Sequence, residues 1–295
     1  MTDYFKQYSG SISFPANGQS WVILSDIEKR IKEKIEKIGK PLKDWDISIY
    51  RGILTGCNAA FIIDKNKRDE LIKKSPNSAE IIRPILRGRD IARYQANFAD
   101  LYLINTHNGI PSKNIPPVDV KKYPAIKRHL DKFWVQIKDR DDQGITPYNL
   151  RSCTYTDDFS KQKIVYPNMT KFLPFYFDNN GFYQNDKSFM IVGDTIAFLT
   201  AFLNSSLFKF CFLDNFPELQ GGTRELRKIF FDKIPVLQVD SKTNKLFETK
   251  IIEIQSQKKK NMKTRDKEIE IDNMIFDLYQ ISEKERKMIE FIEIQ

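Results

Sequence analysis

Three arginines fall within seven positions in ILRGRDIARY, residues 85–94: Arg87, Arg89 and Arg93, beside Gly88, Asp90 and Tyr94. A guanidinium group grips a phosphate, or the O6/N7 edge of guanine, with two parallel hydrogen bonds. Glycine lets the backbone approach such a ligand closely. The same chemistry recurs in two polar loops. RDDQGITPYNLRS, 140–152, offers Arg140, Gln143, Tyr148, Asn149 and Arg151, and LQGGTRELRK, 219–228, offers Gln220, Arg224, Arg227 and Lys228. Asn and Gln amides present the donor–acceptor pair that matches adenine N6/N7. For any one of these side chains the competing role is an ion pair on the surface. Asp90 can pair with an arginine while Ile85, Leu86 and Ile91 pack inward.

Catalytic constellations are harder to find. NIPPVD, 114–119, approaches the Asn/Asp-Pro-Pro-aromatic motif with which amino-methyltransferases hold their target amino group. Here Ile115 separates Asn114 from the prolines, and Val118 stands where the aromatic would be. TGCNAAF has the wrong glycine spacing for a phosphate or dinucleotide loop. Asp139, Asp141 and Asp142 are neighbours in a polar loop, and adjacency alone does not converge carboxylates on one metal. The three cysteines (Cys57, Cys153 and Cys211) are widely spaced, and the two histidines (His107 and His129) are too far apart for a helical metal motif. Neither a disulfide framework nor a metal site is indicated, which points to a reducing cytoplasm.

The elements that must position these side chains follow from periodicity. Hydrophobic residues are 41% of the 295 and aromatics 13%, enough for a core, while a net charge of +9 and a pI near 9.2 favour a polyanionic partner. The N-terminus lacks the basic-then-apolar order of a signal peptide. The apolar stretch 196–212 is interrupted by Asn204, Ser205, Ser206 and Lys209, so it reads as a buried helix over 195–212 rather than a membrane span. Helices are predicted at 25–38 (Ser25 capping, Glu28 three later, Gly39 stopping), 66–74 and 124–137, the last with Ile126, Leu130, Phe133, Trp134 and Ile137 inward. Residues 47–64 read as strand, glycine turn, strand. LYLIN (101–105), KIVYP, LPFYF and KSFMIV read as strands, with NNG at 179–181 as a hairpin turn between the last two. A strand near KIPVLQV precedes long charged helices from 245, with a basic run of Lys258, Lys259, Lys260, Lys263 and Arg265 and a capping box at Ser282/Glu285. The fold class is α+β: short-stranded mixed and antiparallel sheets with packed helices, then a helical C-terminal region. The divisions expected are 1–45 (linker and helix), 46–240 (recognition domain) and 241–295 (helices).

The order GILTGCNAAFIID, RPILRGRDIARY, KYPAIKRHLDKF, RDDQG-TPYNLRSC, KIVYP, FYFDNNGFY, SFMIVG, FLNSSLFKF and IDNMIFDLYQISEKE resembles the TaqI-like C-terminal specificity domain over roughly residues 20–292. This is the target-recognition domain of type IIG restriction–modification enzymes and related adenine-N6 DNA methyltransferases. The resemblance implies a DNA-reading module that closes over a duplex opposite a methyltransferase domain, with lysines and arginines on phosphates and a few loop side chains on bases. Arg51, Thr55, Asn58 and Lys171 complete the candidate DNA-contacting set. No cofactor is expected in this chain, because S-adenosylmethionine and Mg²⁺ belong to the catalytic domains, so the chain by itself is expected not to be an enzyme. Its implied partners are double-stranded DNA and a methyltransferase, with or without a nuclease, in cis or as a separate subunit. The alternative is a specificity subunit that acts by docking on a methyltransferase chain.

Overall fold

The computed structural model describes residues 26–171, 173–289 and 291. In chain order, α1 (Asp26–Ile38) leads through β1 (Lys40–Pro41) to β2 (Ile47–Arg51), α2 (Asn58–Phe61), β3 (Ile62–Asp64), α3 (Lys65–Lys74) and β4 (Ile82–Leu86). Next come β5 (Ile91–Ala92), β6 (Gln95–Ala96), β7 (Leu101–Ile104), α4 (Pro124–Asp131) and α5 (Trp134–Ile137). The strands β8 (Lys163–Pro167), β9 (Met169–Thr170), β10 (Tyr176–Asp178), β11 (Tyr183–Gln184) and β12 (Ser188–Gly193) follow. The chain closes with α6 (Ile196–Leu203), α7 (Ser206–Phe212), β13 (Arg224–Glu225), α8 (Lys228–Phe231), β14 (Pro235–Val236), α9 (Ser241–Lys259), α10 (Arg265–Leu278) and α11 (Glu283–Arg286).

Two four-stranded sheets form the frame, one antiparallel in the order β10-β8-β12-β2, the other in the order β11-β4-β7-β3 with only β11–β4 parallel. The first sheet is covered on both faces. In β12, Ile191 joins the cluster built with α1, α6, α7, α9 and α10, while its neighbours Met190 and Val192 join the cluster of the second sheet and α4. Period-two alternation thus feeds two cores from one strand. Central β8 is buried at all five positions, including Lys163, whose ammonium ion-pairs with Asp178 at 2.5 Å with both side chains fully buried. The helices after 240 are part of the larger core: Phe247, Ile251 and Ile254 of α9 and Ile271 and Ile275 of α10 pack with Ile31 and Ile35 of α1 and with Ile164. The class is α+β, as expected.

Several local expectations change. Residues 124–137 are two helices. Phe133 leaves helical geometry (φ −105°, ψ 15°), and restarting the helix there keeps Ile137 buried but turns Trp134 outward, 42% exposed. The helix expected over 195–212 also breaks, with α6 and the segment after it bent by 67°. At the bend the Asn204 amide bonds both ways with the Phe175 backbone, and Ser205 caps α7 by accepting from the Phe208 N–H. Among the described residues no single helix is long and apolar enough to cross a membrane. Gly181 does turn the chain (φ 72°), held by Asp178 accepting from Asn180 and Phe182, but no hairpin results. β8 lies between β10 and β12, and the chain after the turn departs as β11 to the edge of the other sheet. Residues 47–64 hold the two expected strands and a glycine turn at Gly56 (φ 62°), with α2 inserted before β3, and β2 and β3 belong to different sheets. The Ser282/Glu285 capping box is present, whereas the Ser25 cap lies outside the described residues.

Candidate nucleic-acid interface

The three arginines of ILRGRDIARY have three different fates. Arg87 is clamped by Asp90 through Nε (2.9 Å) and Nη2 (2.7 Å), and the same carboxylate accepts the Arg87 N–H at 2.8 Å, closing the short turn Gly88–Asp90. This bond to Asp90 raises the Arg87 pKa. Arg93 is 4% exposed, and its Nε lies 3.0 Å from Glu268, which also meets Lys258 Nζ at 2.9 Å. A buried guanidinium needs such a partner, so Arg93 fastens β5 to α10 and is not part of a DNA-facing surface. Lys258, from the basic run, is consumed by the same carboxylate. Arg89 alone is exposed with no ion-pair partner among the described residues.

The 140–152 loop is braced from inside. Arg140, expected to face a ligand, is 6% exposed, donates to the carbonyls of Ile137, Pro147 and Asn149, and lies 4.5 Å over the Phe61 ring. Asn149 is equally internal, donating to the Val118 carbonyl (2.9 Å) and accepting from Thr146 (2.6 Å). The Tyr148 hydroxyl donates to Asp131 at 2.6 Å. Thr55 is buried, donating to Asn58 at 2.7 Å and accepting the Cys57 N–H. Thr55, Arg140 and Asn149 therefore brace their loops, and Arg93 ties two elements together, rather than reach outward. Burial requires each polar atom to find a partner inside, and sequence alone does not reveal that burial. Gln143 is half-buried, and Asn58 and Arg151 remain exposed.

What remains outside lies along one continuous strip. Arg51 and Arg151 both act on the hydroxyl of Tyr155, whose pKa burial pushes up to about 12 and whose OH donates to the Arg51 carbonyl. Arg51 donates to the Asp186 carbonyl at 2.9 Å, next to Lys187. Gly88 brings the Arg89 turn onto Lys187, since a Cβ there would lie 2.8 Å from the Lys187 carbonyl. That carbonyl accepts the Asn168 N–H, and the Asn168 carbonyl accepts the Leu226 N–H. From there β9 pairs antiparallel with β13, so exposed Lys171 continues β9 alongside Thr223 while exposed Arg227 follows β13 at the opposite end, one residue past the Leu226–Asn168 bond. Beyond them Gln220 is exposed at a loop tip, and Lys228 is tied to Asp232 at 2.7 Å. Arg224 is only 15% exposed in its side chain and bonds the Phe216 carbonyl, Glu218 and Asp214. Lys187 was not foreseen, because as one lysine in a polar turn it has no distinguishing sequence signal.

Asn114 of NIPPVD is exposed in a left-handed turn (φ 55°). Among the described residues no three His, Cys, Asp or Glu side chains could hold a metal ion. The histidines are structural: His107 accepts the Gly109 N–H, His129 meets the Ala60 carbonyl at 3.0 Å, and burial lowers both pKa values below 6.5.

Residues 83–236, 154 of the 295, match the family model of the TaqI-like C-terminal specificity domain. No curated protein matches the chain. Among solved structures, the type IIL restriction–modification enzyme MmeI in complex with DNA aligns over 85% of this chain with a TM-score of 0.60 and 12% identity. The type IIG restriction endonuclease BpuSI aligns over 78% with a TM-score of 0.51 and 14% identity. The chain spans 36% and 28% of those two proteins, so the likeness is one of fold over part of a larger molecule. With just over half of its residues inside the family model and its fold shared with these two enzymes, the chain belongs to the TaqI-like C-terminal specificity domain family.

Proposed function

We propose that the chain is the DNA target-recognition module of a type IIG-like restriction–modification enzyme or adenine-N6 DNA methyltransferase, and that it performs no chemistry itself. Methyl transfer from S-adenosylmethionine and any Mg²⁺-dependent cleavage belong to a methyltransferase or nuclease partner, in cis or as a separate chain, acting in the cytoplasm. The observation that carries this reading is the strip itself. Arg151, Arg51, Lys187, Arg89, Lys171 and Arg227 come from separate contacting segments and make an exposed basic edge. Such an edge can follow a phosphate backbone while a few side chains reach bases.

The test is fluorescence anisotropy of the chain with duplex DNA across a salt series. The logarithm of affinity falls with the logarithm of salt at about −0.9 per neutralised phosphate. Arg89 and Lys171 alone give a slope of about −2, and all six cations give about −5. The other four have acidic neighbours in Asp142, Asp186 and Glu225, which brings the expected slope between these limits. Absence of duplex binding at low salt refutes the proposal, as does methylation or cleavage of DNA by the chain alone. A second role, docking on the catalytic chain, is favoured by the neighbouring exposed side chains Trp134 (42%) and Val135 (77%), together with Ile145 (70%) on the adjoining loop. Co-elution with a methyltransferase chain, lost on Val135→Asp, tests it.

A further inference from the structure

Residues 216–226 build a narrow ribbon on a fixed base, three-stranded as far as Arg224, where β13 also pairs with β9, and two-stranded beyond. Phe216 and Leu226, at its two ends, are fully buried in the larger core, and the Phe216 ring packs 4.9 Å from that of Phe231. Between them the two arms bond to each other: Leu219 N–H to the Thr223 carbonyl at 2.6 Å, Glu225 N–H to the Pro217 carbonyl at 3.2 Å, with Glu218 opposite Arg224. The Arg224 guanidinium ties the Phe216 carbonyl to Glu218 and Asp214, which makes it a positioning residue for the ribbon. Beyond that brace everything points outward. Leu219 is 38% exposed, Gln220 is exposed with its side-chain amide unpartnered among the described residues, and Gly221 and Gly222 both have positive φ (75° and 72°). A Cβ on either glycine would meet nothing within 4 Å, in contrast to Gly88, so the left-handed backbone selects glycine here and the tip stands in open space.

The dimensions select a groove. Three residue steps separate Arg224, the last position paired with β9, from the tip at Gly221, a reach of at most about 10 Å in extended chain. The major groove is about 12 Å wide and 8.5 Å deep and admits a two-stranded ribbon in undistorted duplex, whereas the minor groove, about 6 Å wide, takes one only when the duplex is deformed. Arg227 stands at the foot of the ribbon, and Lys171, one residue past Thr170 opposite Arg224, stands beside its arm toward the tip, both exposed where phosphates would flank an inserted tip. A Gln amide offers one donor and one acceptor, the set that pairs with adenine N6 and N7.

We propose that the Phe216–Leu226 ribbon enters the major groove and that Gln220 is a specificity-determining residue reading an adenine edge, with Lys171 and Arg227 on the phosphates. This rests on the DNA-recognition reading and assigns the base reading to this ribbon rather than to the braced 140–152 loop. The test uses the 295-residue chain with a randomised duplex library, selected at low salt and sequenced, together with amide hydrogen exchange with and without duplex. Wild type is expected to enrich adenine at one position, and Gln220→Ala to lose about 5- to 150-fold of that discrimination while the rest of the selected site persists. Gln220→Glu, which presents acceptors only, is expected to move the preference toward cytosine. Lys171→Ala and Arg227→Ala should weaken all sequences equally. Duplex should slow exchange at residues 219–223, a readout that stands even when no sequence is enriched. If wild type binds no duplex, the recognition reading and the proposal fall together. If it binds but tip exchange is unchanged, or if Gln220→Ala selects the wild-type sequence with the wild-type stringency, the ribbon assignment is overturned and the recognition reading stands.

Discussion

Replacing Arg89 and Arg93 separately by alanine should divide binding from folding. The two arginines are four residues apart in sequence. Arg93 is 4% exposed, and its removal leaves Glu268, itself 3% exposed, with Lys258 Nζ at 2.9 Å as its remaining cation. Removing one partner of a buried ion pair costs about 3–5 kcal/mol, and the retained Lys258 places Arg93→Ala near the lower end, about 3 kcal/mol. For a domain of this size that lowers Tm by roughly 6–12 °C. Arg89 is exposed and has no ion-pair partner among the described residues, so Arg89→Ala should stay within about 0.5 kcal/mol of wild type in stability. It should weaken duplex binding and reduce the magnitude of the salt slope by about 1. The assays are chemical denaturation for both variants and anisotropy titration for both at matched folded concentration. Arg93→Ala that remains fully stable but binds DNA poorly, or Arg89→Ala that unfolds, would refute the assignment of the two arginines to core and surface.

Three further outcomes are expected. Gly88→Ala places a Cβ 2.8 Å from the Lys187 carbonyl, so the two turns must separate; a loss of about 1–3 kcal/mol by denaturation and weaker duplex binding should appear together. Arg140→Ala strips the donor from three loop carbonyls and should cost about 2–4 kcal/mol, with fast amide exchange confined to 137–150 and no rescue by lysine, which cannot span three acceptors. Burial lowers the folded-state pKa values of His107 and His129 below 6.5, so just under that pH the unfolded chain binds more protons than the folded one. Stability should therefore rise with pH up to about 6.5 and level off above it, and urea titrations of His129→Gln between pH 5 and 8 should show a shallower rise.

Much of the frame was legible because hydrophobic periodicity reports burial directly. The helix of α1, the strand KIVYP of β8 and the Ser282 capping box all read correctly from spacing. The failures have one cause, competition between local signals and distant partners. Asn179-Asn180-Gly181 has the composition of a hairpin turn and does turn the chain, but the segment after it pairs with β4 of the other sheet instead of returning along β10. Asn204 ends α6 because the Phe175 backbone, 29 residues earlier, presents both a donor and an acceptor to its amide. Lys187 enters the strip through the backbone contact of Gly88, a closeness no spacing rule encodes.

The amino-acid sequence by itself determined the α+β class, the family, the basic character and the pool of residues able to grip a phosphate or a base. Residue type sets those properties before any long-range contact forms. Only the tertiary structure decided which members of the pool face outward. Arg87, Arg89 and Arg93 carry the same guanidinium, yet one is clamped by Asp90, one is buried against Glu268 and one is free. The difference is the carboxylate and the shielding that distant segments bring to each, because the cost of burying a charge is met or not met by partners that the fold, rather than the neighbouring sequence, supplies.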